Sequence, residues 1–426
     1  MLWTPFCCLS PFLSSILSAE RDSSMSMKAR NYSAVEFNNG VNSTHTPNYY
    51  VLFVVGMLLL SFSSSPGSGG VISYGTPFLL LAALLFIPVF YNNLSRVNIQ
   101  FLLWPTLFVV LIFFTSFLAV SPLASIVRAA ANFVGYLIFL GLIAASMRHR
   151  VSVDSIARVL LMSGGVLAIY FLLNMVWQSF VFGFRAVILE RYVGGAMSLP
   201  WGASNTIAQV LLLSVGSYLA IDNKKKIDFI FLLFISLAIL FTFSRSVSVL
   251  LICMLYIVMS FRRFSVFVIL SALAAFIYAV FQDGSSVGYD TFISSRLNVE
   301  DMQSGNGRLD TAFEKLSYFF NHPFEPIGYY SSIYNFTLSA HNYWITTLVE
   351  QSFFSVIISL LFFCSVGKMA LATSRKLFYG FLVVMLGLMV EDPNFVQPYI
   401  VSFWVYFAVL VSRGLERKEF LSVRNE

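Results

Sequence analysis

Residues 282–342 read QDGSSVGYDTFISSRLNVEDMQSGNGRLDTAFEKLSYFFNHPFEPIGYYSSIYNFTLSAHN, and the apolar run YWITTLVEQSFFSVIISLLFF begins directly after them at Tyr343. Beyond the N-terminal tail, this is the long polar interval between the hydrophobic segments of the chain. Loops of more than about 15 residues without a role are uncommon. A His-Asn pair, His341 and Asn342, closes this loop where the apolar run starts. We therefore expect any chemistry of this protein to lie here.

The composition is that of a polytopic membrane protein. Of the 426 residues, 58% are hydrophobic and 11% are charged, and the mean hydropathy is +0.80. Soluble domains carry about 25% charged residues. The net charge of +6 would indicate an acidic partner for a soluble protein, but here its distribution across the membrane matters more. The four cysteines have neither metal-binding nor CxxC spacing, so disulfides and structural zinc are not expected.

Twelve runs from Tyr49 onward are long enough, or nearly so, to span about 30 Å of hydrocarbon. The sequence thus predicts an all-α, polytopic integral membrane protein of about 12 transmembrane helices with a large extracytoplasmic loop. The seventh and eighth runs are separated only by Ser244 and Arg245, so one broken segment is the alternative there. The runs lie at about 49–65, 71–91, 99–120, 123–147, 155–182, 203–221, 227–243, 246–260, 264–282, 343–366, 376–392 and 397–413.

Basic residues alternate between the two sides of these spans. With the N-terminus inside, the inner segments carry most of the 26 lysines and arginines, and Arg128 lies near the outer end of the fourth span. The positive-inside rule then places both termini in the cytoplasm. An arginine on the outer side goes against this bias and needs a reason, such as an anionic ligand. The outer segments carry Arg185, Arg191, Arg245, Arg296, Arg308 and Lys315.

The expected organisation is one membrane domain between two tails. Residues 1–48 are predicted to be an N-terminal cytoplasmic tail, or an over-extended start with initiation at Met25 or Met27. Residues 49–413 are predicted to be the transmembrane, catalytic domain, with a periplasmic loop at 283–342. Residues 414–426 are predicted to be a cytoplasmic C-terminal tail.

His341 lies at the outer mouth of the tenth predicted span, where two roles are open. A histidine titrates near neutral pH and can act as general base on a hydroxyl, or it can cap the helix. Glu350 follows nine residues later, so in a continuous helix it is on the opposite face and roughly 13 Å deeper. It therefore cannot orient His341 directly. We interpret Glu350 as the partner of an arginine inside the bundle.

Three arginines on the outer side are candidate anion ligands. Arg308 would lie in the first turn of an amphipathic helix on the membrane or the bundle, where free backbone N–H groups suit a phosphate. Arg191 precedes the sixth span. Arg245 lies between two spans, where an arginine costs on the order of 2.5–3.5 kcal/mol without a partner or ligand. Arg296 and Lys315, in the same loop as Arg308, are expected to be solvated.

Several catalytic signatures are missing from the sequence. It contains no Walker or dinucleotide-binding loop, no HExxH and no convincing metal cluster. A metal-dependent transferase that uses a nucleotide sugar on the cytoplasmic side therefore finds no support. We expect no cofactor, no metal and no nucleic-acid partner.

Taken together, these motifs resemble the O-antigen polymerase and O-antigen ligase superfamily of bacterial envelope proteins. The resemblance covers about residues 185–365. Its pieces are Arg191 with the downstream WGASNTIA, the TFSRS turn, GRLDTAF leading into HPFEPIGYYS, and AHNYWITTLVEQSFFS. The ligases typically show His-Asn, nine further residues, then a glycine and a second small residue three later. Here those positions are Ser352 and Ser355, which favours a polymerase.

The resemblance implies a GT-C-like, metal-independent membrane glycosyltransferase in the bacterial inner membrane, with its active site facing the periplasm. It would polymerise undecaprenyl-diphosphate-linked repeat units of O-antigen or a similar surface polysaccharide. Its partners would be the lipid-linked glycan donor, a glycan acceptor and membrane lipid, and a chain-length regulator is a further candidate. The alternatives are an O-antigen ligase that moves the glycan to lipid A-core, a flippase or transporter of lipid-linked oligosaccharides, and a non-enzymatic assembly partner.

The resemblance also assigns roles to the candidate site residues. A base must remove the proton of the acceptor hydroxyl, and guanidinium groups can bind the diphosphate in bidentate fashion without a metal. The expected set is His341 as the base, Arg191 and Arg308 as diphosphate ligands, Arg245 as a third contact or a partner of Glu350, and Glu350 and Asn342 as supporting residues.

Overall fold

The computed structural model of the chain describes ten stretches of residues, and all regular secondary structure within them is helical. The tail at 1–47, Arg191, His341 and most of the predicted span 264–282 lie outside the described residues. The described residues are 48–61, 73–92, 99–147, 151–182, 204–242, 244–259, 264–265, 308–336, 342–389 and 397–425.

The helices follow the apolar runs of the sequence closely. For example, the predicted run 123–147 is a helix at Pro122–Met147. In chain order the helices are α1 (Asn48–Ser61), α2 (Thr76–Tyr91), α3 (Ile99–Ser116), α4 (Pro122–Met147), α5 (Val153–Phe182), α6 (Ser204–Leu219), α7 (Lys226–Phe241), α8 (Arg245–Val258), α9 (Arg308–Asn321), α10 (Ser332–Asn335), α11 (Tyr343–Gln351), α12 (Phe353–Thr373), α13 (Arg375–Gly387) and α14 (Gln397–Asn425).

Four helices of the described part are long and apolar enough to cross a membrane, and this confirms the membrane class in its general form. The spans are Pro122–Met147, Val153–Val181, Phe353–Thr373 and Pro398–Arg417. Shorter apolar helices accompany them at Asn48–Ser61, Thr76–Tyr91, Leu102–Ser116, Asn205–Leu219 and Arg245–Val258. The number of twelve spans stays a prediction.

The seventh and eighth predicted runs are two separate helices, α7 and α8. Ser244, the residue before α8, has an extended backbone with φ −76° and ψ 99°. A helix cannot continue through such a residue. One continuous helix is therefore excluded here, and the count of two spans stays a prediction.

The last helix, α14, is the centre of the bundle. It packs against α4, α5, α6 and α12, and its residues from Tyr399 to Val411 are buried. Trp404 lies directly on α4, where a Cβ at Gly135 would come within 2.4 Å of the Trp404 ring. A glycine at 135 therefore allows the two helices to approach closely. The sequence offers no sign of this central position, since α14 is no more apolar than its neighbours.

The described outer helices expose apolar side chains to their surroundings. On α2, for instance, Leu84 is 50% exposed. Extended apolar surfaces of this kind are rare on soluble proteins and are expected where lipid surrounds a bundle. Other exposed apolar residues include Leu80, Leu81, Leu85 and Ile87 on α2, Ile230, Leu233, Phe234 and Leu237 on α7, and Phe354, Ile357, Leu360 and Leu361 on α12.

The tenth predicted span is interrupted, and the expectation of a continuous helix over 343–366 is wrong. Ser352 separates α11 from α12 with φ 97° and ψ 167°. The carbonyl groups of Val349 and Glu350 accept hydrogen bonds from the N–H groups of Ile327 (3.1 Å) and Gly328 (3.1 Å). The last carbonyl groups of a helix have no hydrogen-bond partner within the helix. At the end of α11, backbone N–H groups from the turn at 327–328 supply these partners.

An ion cluster closes one end of the bundle, at the turn between α6 and α7. Asp154 accepts hydrogen bonds from the N–H groups of Asp222 (3.0 Å) and Asn223 (3.1 Å). The guanidinium of Arg413 binds both Asp154 and the carbonyl of Ala220. This cluster joins the start of α5, the α6–α7 turn and the far part of α14.

Candidate functional site

Four parts of the chain meet at the other end of the bundle: the end of α3, the start of α4, the turn 326–331 after α9, and α11. The N–H of Tyr329 donates to the carbonyl of Thr115 (3.0 Å), and the N–H of Val120 donates to the Ser331 hydroxyl (3.0 Å). The Gly328 bond to Glu350 completes the junction. The turn belongs to the HPFEPIGYYS motif, so the structure brings this motif onto the helix that follows His341 and Asn342.

Glu350 holds this turn through its carboxylate. The side chain is buried, with the whole residue 3% exposed. One oxygen accepts from the N–H of Tyr330 (2.7 Å), and the other accepts from the N–H (2.9 Å) and the hydroxyl (2.6 Å) of Ser332. Three donors thus converge on one buried carboxyl group. In the described structure Glu350 therefore anchors a turn. The sequence had instead predicted an arginine as its partner.

The turn has two residues with positive φ, Gly328 and Tyr330. Gly328 has φ 94°, and a Cβ there would lie 2.4 Å from the Cα of Ala119. Tyr330 has φ 61°, an uncommon conformation for a side chain of this size. The bond to Glu350 helps to stabilise this conformation.

Arg128 supports the same turn from α4. Its guanidinium lies 3.6 Å from the centroid of the Tyr330 ring, and the residue is buried. Burial raises the pKa of Tyr330 above its usual value, while the nearby guanidinium partly opposes this shift. One helical turn further, Asn132 donates to the hydroxyl of Tyr329 (2.9 Å) and accepts from the indole of Trp404 (3.4 Å). The turn is thus connected to the central helix α14.

Lys315 is buried beside this cluster, and the expectation that it is solvated is wrong. The residue has no exposed surface, and its ammonium lies 5.3 Å from the centroid of the Phe336 ring. Its charge also acts on the carboxylate of Glu350. The reason is that α9 packs against α11 and is not free in solvent. We call Arg128, Lys315, Tyr330, Ser332 and Glu350 the turn cluster.

The start of α11 is fixed by Asn342. Its side-chain oxygen accepts from the N–H groups of Trp344 (3.0 Å) and Ile345 (3.3 Å), so Asn342 is the N-cap. The N–H of Tyr343 donates to the carbonyl of Leu388, which ties the same point to the end of α13 (2.9 Å). The capping role that was open for His341 is thus filled by its neighbour. His341 itself immediately precedes this cap and lies outside the described residues.

The three candidate arginines have different positions. Arg308 is the first residue of α9, and α9 packs against α11. Arg245 begins α8 with an exposed side chain, and α8 packs mainly against α6 and α13. Arg191 lies outside the described residues. The structure thus brings the helix of Arg308 to the helix of Asn342 and Glu350, whereas the helix of Arg245 has other principal neighbours.

Arg128, Tyr330 and Ser332 were not among the site residues predicted from the sequence. A signal for Arg128 was present, because an ionisable residue within an apolar span indicates a functional or paired position. Tyr330 lies in the HPFEPIGYYS motif and Ser332 directly follows it. The sequence assigned no role to either residue. Their importance depends on a contact with α11, and a sequence pattern does not show such a contact.

The turn cluster combines two buried basic side chains with one buried carboxylate. Buried charges are costly unless they are compensated. Among the described residues, no group of three or more His, Cys, Asp and Glu side chains is placed to hold a metal ion. Neither a known protein-family profile nor a curated protein sequence matches this chain.

Proposed function

We propose that this protein is a membrane glycosyltransferase that polymerises undecaprenyl-diphosphate-linked oligosaccharide repeat units of O-antigen or a similar surface polysaccharide. The proposal places about twelve spans of a GT-C-like fold in a bacterial inner membrane, with both termini in the cytoplasm and the reaction at the periplasmic face. Support comes from the membrane-crossing helices, from the sequence motifs, and from the site at the Glu350 end of the bundle.

The packing of α9 on α11 is the observation that carries the proposal. It joins two segments that the sequence motifs assign to one reaction, since α9 begins at Arg308 and α11 begins directly after His341 and Asn342. The first N–H groups of a helix have no partners within the helix and attract phosphate. An arginine at this point adds a permanent charge with bidentate geometry.

The proposed reaction is the transfer of a glycan from its lipid diphosphate to a hydroxyl of the acceptor glycan. The sugar–phosphate bond breaks and leaves a diphosphate anion, which Arg308 and Arg191 bind. His341 takes the proton of the attacking hydroxyl, an effect of about 10²–10⁴-fold on the rate. Asn342 positions His341 by fixing the start of α11, and Glu350 acts through the turn.

The distribution of charge between the two ends of the bundle supports the orientation. The α6–α7 end carries Arg158 and Arg413 in ion pairs, together with Lys224 and Lys225 in the turn itself. Such a concentration of basic residues is typical of the cytoplasmic side. The Glu350 end would then face the periplasm.

Purified protein in lipid nanodiscs, supplied with a defined undecaprenyl-diphosphate donor and a glycan acceptor, tests the proposal. We expect chain elongation that is insensitive to chelator and that rises with pH through the range in which an ordinary histidine titrates, about 6 to 7. His341→Ala should reduce transfer about 10²–10⁴-fold and leave donor binding nearly intact. His322→Ala is a matched control, because His322 has a side chain that is 47% exposed in the same loop. If His341→Ala keeps most of the activity, the mechanism fails.

The O-antigen ligase is the second candidate, and one observation favours it. Ser352 stands where the ligases typically have glycine, and its φ of 97° is a conformation that normally requires glycine. Position 352 therefore has a backbone conformation that would suit the glycine of the ligase pattern. The glycolipids of a deletion strain distinguish the two activities. A single repeat on its lipid anchor indicates a polymerase, and free polymer on undecaprenol indicates a ligase.

A further inference from the structure

The helix α9 carries both polar and apolar side chains on its covered side and on its exposed side. It buries Lys315, which has no exposed surface, and Thr311, which is 3% exposed. It exposes Phe313 by 67% and Phe320 by 74%, together with the polar residues Asp310, Glu314, Ser317 and Asn321. The outward side of α9 therefore presents large apolar rings beside charged and polar groups. Such a mixture is typical of a helix that lies at the boundary between water and lipid.

The exposed phenylalanines form one stripe. Phe313, Ser317 and Phe320 are separated by four and three residues, which places them on the same side of a helix. Phe324, just beyond the end of α9, is 75% exposed. We call Phe313, Phe320 and Phe324 the aromatic stripe of α9.

A second exposed apolar group lies at the same end of the bundle, in the connection between α3 and α4. Phe117 is 66% exposed, Val120 60% and Leu123 77%. Val120 is bound to Ser331, so this connection and the turn that follows α9 belong to one junction. Leu123 is the second residue of a helix that is long enough to cross a membrane. These apolar groups thus lie at the level where a spanning helix leaves the hydrocarbon.

We propose that the aromatic stripe of α9 inserts into the lipid surface on the Glu350 side of the membrane, at the boundary between headgroups and acyl chains. Bulky aromatic residues on one side of a polar helix are the usual means by which a helix binds this boundary. A second copy of the chain fits less well, because stable protein interfaces bury about 1,200–2,000 Å². Three phenylalanines on one short segment offer only a small part of such an area.

The stripe also explains how a loop segment is held at a defined depth. One side of α9 binds α11 and the other binds lipid, so the helix lies between the bundle and the membrane surface. This consequence rests on the proposed function: the segment that begins at Arg308 would then be held near the headgroups, where the diphosphate of a lipid-linked donor lies.

Site-directed spin labelling in phospholipid vesicles tests the inference. A nitroxide is attached in turn at Phe313→Cys, Phe320→Cys and Phe324→Cys, with the native cysteines replaced by serine. Leu84→Cys on α2 is the hydrocarbon reference, and Asn223→Cys in the exposed α6–α7 turn is the water reference. We expect oxygen to relax the three stripe labels more than a water-soluble nickel chelate does, with values between the two references.

Two results would contradict the inference. One is access of the nickel chelate to the stripe labels equal to that at Asn223. The other is protection that disappears when the protein is diluted in lipid and is accompanied by label–label broadening, which would indicate a second copy instead. The measurement does not involve transfer activity. A failure of the stripe and a failure of the proposed function are therefore distinguishable, since His341→Ala tests only the latter.

Discussion

Replacing Glu350 with glutamine should loosen the turn 328–332 without unfolding the bundle. The carboxylate accepts hydrogen bonds from two backbone N–H groups and one hydroxyl, through both of its oxygens. A glutamine amide has one oxygen, and its NH₂ group would face an N–H donor. At least one N–H group, that of Tyr330 or that of Ser332, therefore loses its acceptor.

The size of the effect follows from the burial of these groups. A buried donor without an acceptor costs about 1–3 kcal/mol. Since about 1.4 kcal/mol changes an equilibrium tenfold, the opening equilibrium of the turn should shift roughly 5-fold to 150-fold. The Glu350→Ala variant removes both acceptor oxygens and should shift it further.

Hydrogen–deuterium exchange followed by mass spectrometry can measure this opening. Peptides that cover residues 328–336 should exchange faster in Glu350→Gln by the factor given above, while peptides from α14 keep the wild-type rate. Glu325→Gln is the matched control, because the Glu325 side chain lies in the same segment but is 76% exposed. Equal exchange in Glu350→Gln and the wild type would show that the carboxylate does not hold the turn.

Three further predictions follow from the backbone and the topology. Ser352→Gly should raise the free energy of unfolding by about 1 kcal/mol, because φ 97° is strained for serine. Ser355→Gly, within α12, should lower it by about 1 kcal/mol. Equal shifts of the melting temperature in the two variants would contradict the strain at Ser352. Gly328→Ala should destabilise the protein by at least about 2 kcal/mol, measured by thermal melting, and a wild-type melting point would refute the close contact with the α3–α4 connection. A cysteine at the exposed Asn335 should react with an impermeant thiol reagent from outside intact cells and one at Lys225 only after lysis; the reverse pattern would invert the proposed orientation.

Much of the helical arrangement could be predicted from the sequence. Apolar runs separated by polar or basic residues mark helices because the requirement to satisfy the backbone in hydrocarbon is local to each segment. The runs predicted at 99–120 and 155–182 accordingly match α3 and α5 within a few residues. The start of the run at Tyr343 was also predicted, although the capping role was left open for His341 and belongs to Asn342.

The candidate site could be predicted only in part. The sequence located Asn342, Glu350 and the HPFEPIGYYS motif, but it gave the wrong environment for Lys315 and no role for Arg128. A pattern of residues shows that α9 has two sides, but it does not show which side another helix covers. The break at Ser352 was missed for a similar reason, because a turn from elsewhere in the chain pairs with the end of α11.

The sequence by itself determined that the described part of the chain is built from apolar helices and, apart from the break at Ser352, about where most of them begin, because both depend on the chemistry of neighbouring residues. Only the tertiary structure decided that α14 is the central helix, and that Arg128, Tyr330 and Glu350 meet at one end of the bundle. These residues are far apart in the chain, and their contacts depend on how helices of similar composition pack. The chemistry proposed at this end therefore rests on motifs that the sequence supplies and on an arrangement that packing alone provides.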